Sequence, residues 1–156
     1  MSPSVRVIAA LIVSYAAGFI GFLFIDSQVT TWYAGVVKPP FTPHPSVFII
    51  VWIVLYAFMA LALSVIWTKT PQDIQTGGWV RFFFVQLLFN AGWTFFFFGL
   101  HSTLIAFVDI LFLAFIVVTL VAGAYEIDPR AGWLLLPYLL WVLFAGYINL
   151  GIWLLN

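Results

Sequence analysis

Five long, predominantly apolar stretches dictate what this chain can become: residues 7–25, 47–67, 82–100, 103–125 and 131–155. A helix needs about 20 such residues to cross a hydrocarbon core roughly 30 Å thick. Each run is about twice the length of a membrane-barrel strand and none alternates with period two. The predicted fold is therefore an all-α integral membrane protein, one domain over residues 1–156 built as a bundle of five transmembrane helices. Composition agrees, because a chain 65% hydrophobic and 6% charged cannot dress a water-soluble globule. The first run is longer than a signal-peptide core and no small-residue cleavage site follows it before Asp26, so it is read as a retained helix.

Composition also closes off several kinds of chemistry. Cysteine is absent, which excludes disulfides and thiolate nucleophiles. The two histidines, His44 and His101, stand singly in loops and make no metal site. Lys and Arg number five, never adjacent, so nucleic acid is not an expected partner. No Ser-His-Asp set, phosphate loop or catalytic carboxylate pair can be assembled, which disfavours a conventional enzyme and calls for no cofactor.

The connections differ in length. Two short turns, at 101–102 and 126–130, predict antiparallel neighbours. Ser102 is expected to cap the fourth span, and Asp128-Pro129 to start the fifth. Residues 26–45 form the long connection, and four prolines between Pro39 and Pro45 bar a helix there. This segment is read as a rigid lid over one end of the bundle. With the spans threaded alternately, Arg6, Lys69, Arg81 and Arg130 share one side and Lys38 alone the other. The positive-inside bias then puts the amino terminus in the cytoplasm, with the lid and the carboxyl terminus outside. Trp67, Trp79 and Trp133 fall at the inner boundary and Trp32 and Trp153 at the outer one, as interfacial anchors do.

Trp52, Trp93 and Trp141 lie inside their spans and are not explained by such a belt. Gln86, Asn90 and Trp93 recur on one helix face, as do Trp52 with Tyr56, and Trp141 with Ala145 and Asn149. At about 1.5 Å of rise per residue, these groups and Asp109 converge on the lid half of the bundle. Polar groups in membrane helices often do no more than bond neighbouring helices, and interior tryptophans often only pack. Asp109 is the one carboxylate well within a span, a functional candidate by position. Ser14 with Gly18, and Ala17 with Gly21, are small-residue pairs that allow close approach, inside the bundle or between protomers.

At this point the residues resemble a known family. Trp32-Tyr33, Lys38-Pro39-Pro40-Phe41-Thr42-Pro43, Trp52 and Tyr56 stand in the order of the translocator-protein (TspO/MBR) family of tryptophan-rich sensory proteins. Gln86 to Trp93, Phe97-Phe98-Gly99, Asp109, Pro137 to Trp141, Asn149 and Trp153 continue the pattern over essentially the whole chain. The resemblance implies a homodimeric five-helix receptor in the membrane, here the cytoplasmic membrane of a bacterium. Its expected ligand is protoporphyrin IX or a haem-type tetrapyrrole, with sterols and benzodiazepine-receptor ligands in animal members. Carried over by position, the pocket comprises Tyr33, Pro43, Trp52, Tyr56, Gln86, Asn90, Trp93, Trp141 and Ala145. In bacterial relatives light-driven porphyrin breakdown is associated with the positions of Trp52 and Trp141, a photo-oxidative alternative to simple binding. Transport, motivated by Asp109, is a third reading. The animal cholesterol pattern departs here, with Leu150 and Leu154 at its Tyr and Arg positions; only a loose match survives between Val121 and Arg130.

Overall fold

A computed structural model describes residues 2–25, 29–69 and 74–156. Five helices carry the bundle: α1 (Pro3–Phe22), α3 (Pro45–Lys69), α4 (Ile74–Thr94), α5 (Thr103–Ile127) and α6 (Pro129–Leu155), with a short α2 (Trp32–Gly35) inside the lid. Each of the five is long and apolar enough to span a bilayer. No strand occurs among the described residues.

The helix ends follow local chemistry. Ser2 accepts from Val5 N at 3.4 Å and Pro3 occupies the first turn, so α1 starts ahead of its apolar run. Asp128 accepts from Arg130 N at 2.9 Å, and Pro129 opens α6 as expected. Ser102 precedes α5 but its side chain makes no cap bond. The largest departure is α4, which begins at Ile74 rather than near residue 82. Gln75 to Gly78 reads as loop, yet Trp79 donates to Leu120 O at 2.8 Å, Thr76 is buried, and Gln75 reaches Glu126 at 3.0 Å. These ties to α5 outweigh the weak helix propensity of the glycines. Trp79 is thereby a core residue, and not a boundary anchor.

The helices close into a ring in the order α1, α3, α6, α5, α4 and back to α1. On α6 the buried face steps through Ala131, Leu135, Tyr138, Val142, Ala145, Asn149 and Ile152, alternating four and three residues. That is the spacing of helices packed at a shallow angle. Gly18 and Gly21 let α1 approach closely: a Cβ on Gly18 would lie 2.5 Å from the Tyr56 ring, and one on Gly21 2.7 Å from Thr94 Oγ1. The small-residue pairs thus work inside the bundle.

After Thr94 the third span does not stop but widens into a π-helical turn, Phe95–Gly99. Leu100 N bonds Phe95 O at 2.9 Å and Ser102 N bonds Phe96 O at 3.0 Å. The extra residue per turn swings Phe97 and Phe98 inward. With Tyr33, Ala106, Ile148 and Ile152 they form a second apolar cluster at the lid end, distinct from the main core around Met59, Leu63, Phe83 and Leu120.

Candidate functional site

The lid is fixed chiefly by α6. Asn156 donates to Val37 O and accepts from Val37 N, both at 3.0 Å, and Tyr147 donates to Pro40 O at 3.1 Å. Pro39 is buried against Gly151, where a Cβ would come within 2.6 Å of the proline ring. Lys38 Nζ donates to the carbonyls of Tyr33 and Val36 at 2.7 and 2.9 Å, and sits 4.5 Å from the centre of the Tyr33 ring. Tyr33 itself is buried under this cover, and desolvation raises its phenol above the ordinary range. Residues 26–28 of the expected lid lie outside the described residues.

Beneath the lid, Trp52 of α3, Asn90 and Trp93 of α4, Ile110 and Leu113 of α5, and Val142 and Ala145 of α6 enclose a small void of about 10 Å³. Four helices therefore meet there. Their polar groups are mostly bonded to one another. Tyr56 donates to Asn90 Oδ1; Asn90 Nδ2 donates to the Tyr138 hydroxyl at 3.2 Å; that hydroxyl donates to Gln86 Oε1 at 2.7 Å. Gln86 Nε2 ends the chain on Met59 Sδ at 3.8 Å. Nearer the lid, Trp93 Nε1 donates to Asn149 Oδ1 at 2.9 Å, and Asn149 Nδ2 to Thr103 O at 2.7 Å. Ring contacts tie Trp52 to Tyr56 at 5.5 Å and to Tyr138 at 6.1 Å, and stack Trp93 on Phe97 at 5.2 Å.

Of the residues singled out in the sequence, Trp52, Asn90, Trp93 and Ala145 line the void, while Tyr56 and Gln86 support it from one turn deeper. Tyr33 stands above, in the lid-end cluster. Pro43 is half-buried in the lid and Trp141 faces elsewhere, so neither lines the void. Trp141 borders instead a cleft of about 440 Å³ between α3 and α6. Its Nε1, like Asp109 Oδ2 and Ser14 Oγ, is buried without a hydrogen-bond partner among the described residues. Asp109 lies beside Gly92, whose missing Cβ would stand 3.5 Å from Oδ1. His44 bonds Ser46 at 2.9 Å, and His101 stacks on Trp32 at 4.5 Å with the planes 13° apart. No group of three metal-ligating side chains occurs among the described residues.

Sequence reasoning missed Tyr138, the hub of the buried network. Its signal was available, since it lies on the same heptad-like face of α6 as Ala145 and Asn149. The loose sterol pattern is largely consumed by packing: Val121 is buried, and the Tyr125 ring lies against Gly132 and Trp133.

A ring of membrane-spanning helices closed around buried aromatic and amide side chains, with a proline-rich cover at one end, defines a polytopic membrane protein. Residues 9–154 match the TspO/MBR family, and the chain belongs to that family. It is 38% identical over 156 residues to the tryptophan-rich protein TspO of Archaeoglobus fulgidus, covering 97% of each chain. The protein of the same name from Chlorobaculum tepidum is 39% identical over 146 residues, 90% of this chain and 89% of the relative. Sheep translocator protein is 30% identical over 160 residues, covering 97% of this chain and 90% of its own.

Proposed function

We propose that this chain is a membrane receptor or sensor for porphyrins and related tetrapyrroles, bound beneath the lid. The observation that carries the reading is the convergence of two indoles and an amide, Trp52, Trp93 and Asn90, on one small void, with the Tyr56 phenol bonded to that amide from one turn deeper. A flat apolar macrocycle stacks on such rings, and an amide can bond its polar edge. At about 10 Å³ the void admits no such ligand without rearrangement. Binding must then part the helices or lift the lid, and that is how occupancy becomes a shape another molecule can read. Family membership supports the receptor or sensor role. We place the lid on the outer face of a bacterial cytoplasmic membrane, following the side shared by Arg6, Arg81 and Arg130.

Titrating the protein in nanodiscs with protoporphyrin IX tests the reading. Tryptophan fluorescence is expected to be quenched saturably, and Trp52→Phe with Asn90→Ala to weaken the apparent affinity at least about ten-fold, the loss of roughly 1.4 kcal/mol. An unchanged titration would remove the assigned pocket. A photo-oxidative role is favoured by the run of rings from Trp52 to Tyr56 and Tyr138, spaced for electron transfer to a photo-excited porphyrin. Under illumination in air, bound porphyrin should then bleach faster in the wild type than in Trp52→Phe.

A further inference from the structure

On the aqueous side the lid is latched to the end of α6. A ligand arriving from water must break the paired bonds of Asn156 to Val37, the Tyr147 bond to Pro40, and the seating of Pro39 on Gly151. The side facing the bilayer is different. There the α3/α6 cleft, about 440 Å³, falls within the size range of small-molecule sites. It lies at hydrocarbon depth, since Val54 on its wall is about 14 Å along α3 from the lid end.

Cleft and void are two sides of one seam. On α3, Val51 and Leu55 border the cleft while Trp52 lines the void. On α6, Leu140 and Trp141 border the cleft while Val142 lines the void. Trp141 is the bulkiest side chain on the cleft side of this seam, and its buried N–H has no acceptor among the described residues, which penalises the position it holds. Its aromatic contacts, Phe48 and Phe144 at 5.5 Å each, are half-buried rings with room to adjust.

We propose that flat apolar ligands enter the bundle from the bilayer through the α3/α6 cleft, with the Trp141 indole as the partition that swings aside. The displaced N–H then finds its acceptor on the polar edge of the ligand. Such molecules concentrate in the membrane, so the route needs no unlatching of the lid. The identity of the ligand rests on the tetrapyrrole reading; the route rests on the cleft, the seam and the latch.

The test fills the cleft from its lipid side. Val54 and Leu140 are exposed to lipid, so Val54→Phe with Leu140→Phe narrows the passage without touching the void. On rapid mixing of protoporphyrin IX with proteoliposomes, porphyrin fluorescence reports partition into the bilayer and tryptophan quenching reports arrival inside. The double variant is expected to slow arrival about ten-fold with the equilibrium affinity unchanged, as a gated access step requires. Asn156→Ala, which loosens the lid, should leave the rate as it is. An unaltered rate in the double variant, or a marked acceleration in Asn156→Ala, overturns the route in favour of the lid. A readout independent of tetrapyrroles is photolabelling with a stearate carrying a mid-chain diazirine. It should modify residues 50–58 and 137–144, Trp141 included, and do so less in the double variant; absence of label on Trp141 in the wild type also overturns the proposal. Should protoporphyrin fail to bind at all, the tetrapyrrole reading falls and the labelling alone decides the route.

Discussion

Replacing Tyr138 by Phe isolates what the buried polar network contributes. The ring is fully buried and keeps its volume in the variant, so no cavity opens. Only the hydroxyl goes, and with it two interhelical bonds, from Asn90 Nδ2 and to Gln86 Oε1. Interhelical bonds in membranes contribute roughly 0.6 to 2 kcal/mol each, giving a loss of about 1 to 4 kcal/mol for the two. The cost of leaving a buried amide unpaired, about 1 to 3 kcal/mol, falls within that range. The assay is reversible unfolding of the protein from mixed micelles by increasing SDS fraction, followed by near-ultraviolet dichroism. Tyr147→Phe, which loses one bond from an exposed hydroxyl to Pro40 O, is the control and should shift stability by less than about 0.5 kcal/mol. Gln86→Leu in the Tyr138→Phe background should recover part of the loss, because the stranded amide is removed with its partner. Equal stabilities for Tyr138→Phe and the wild type would refute the claim that this network fastens α3, α4 and α6 together.

Three further outcomes follow from the same geometry. Gly18→Ala places a methyl carbon in the Tyr56 ring and should destabilise the bundle by about 1 to 3 kcal/mol, read in the same unfolding assay, while weakening the Tyr56–Asn90 bond. Gly151→Ala should unseat Pro39 with little loss of global stability, so that amide exchange at Val36 to Lys38 accelerates while α6 stays protected. Asn149→Ala removes the acceptor of the Trp93 indole, and difference emission against the Trp93→Phe background should show that tryptophan shifted to shorter wavelength.

Much of this architecture could be read from residues alone, for identifiable reasons. Hydrocarbon length fixes the number of spans, and Asp128-Pro129 announces the start of α6 because a capping carboxylate and a residue without an N–H suit a first helical turn. The start of α4 was illegible: Gln75-Thr76-Gly77-Gly78 has loop chemistry, and what makes it helical is Trp79 reaching Leu120, forty-one residues away. The candidate site was legible in part. Residues spaced by three or four, such as Gln86, Asn90 and Trp93, share a face whatever the tertiary structure. Trp141 illustrates the limit of that argument, because it lies four residues from Ala145 yet at the edge of the α6 face, so that its neighbour Val142 takes the inward place. Tyr138 escaped because a phenol beside a proline suggests no bond of its own; its role appears only when Gln86 and Asn90 arrive from α4. The π-helical turn at Phe95 likewise left no mark in a run of four phenylalanines.

The most direct measurement is a structure of the protein solved with protoporphyrin IX bound. The account predicts the macrocycle stacked between Trp52 and Trp93, its edge within hydrogen-bond reach of Asn90, under a lid still joined to Gly151 and Asn156, with Trp141 turned from its present place. A macrocycle on the lipid-facing surface of the bundle, with the void around Asn90 as closed as it is here, would contradict it.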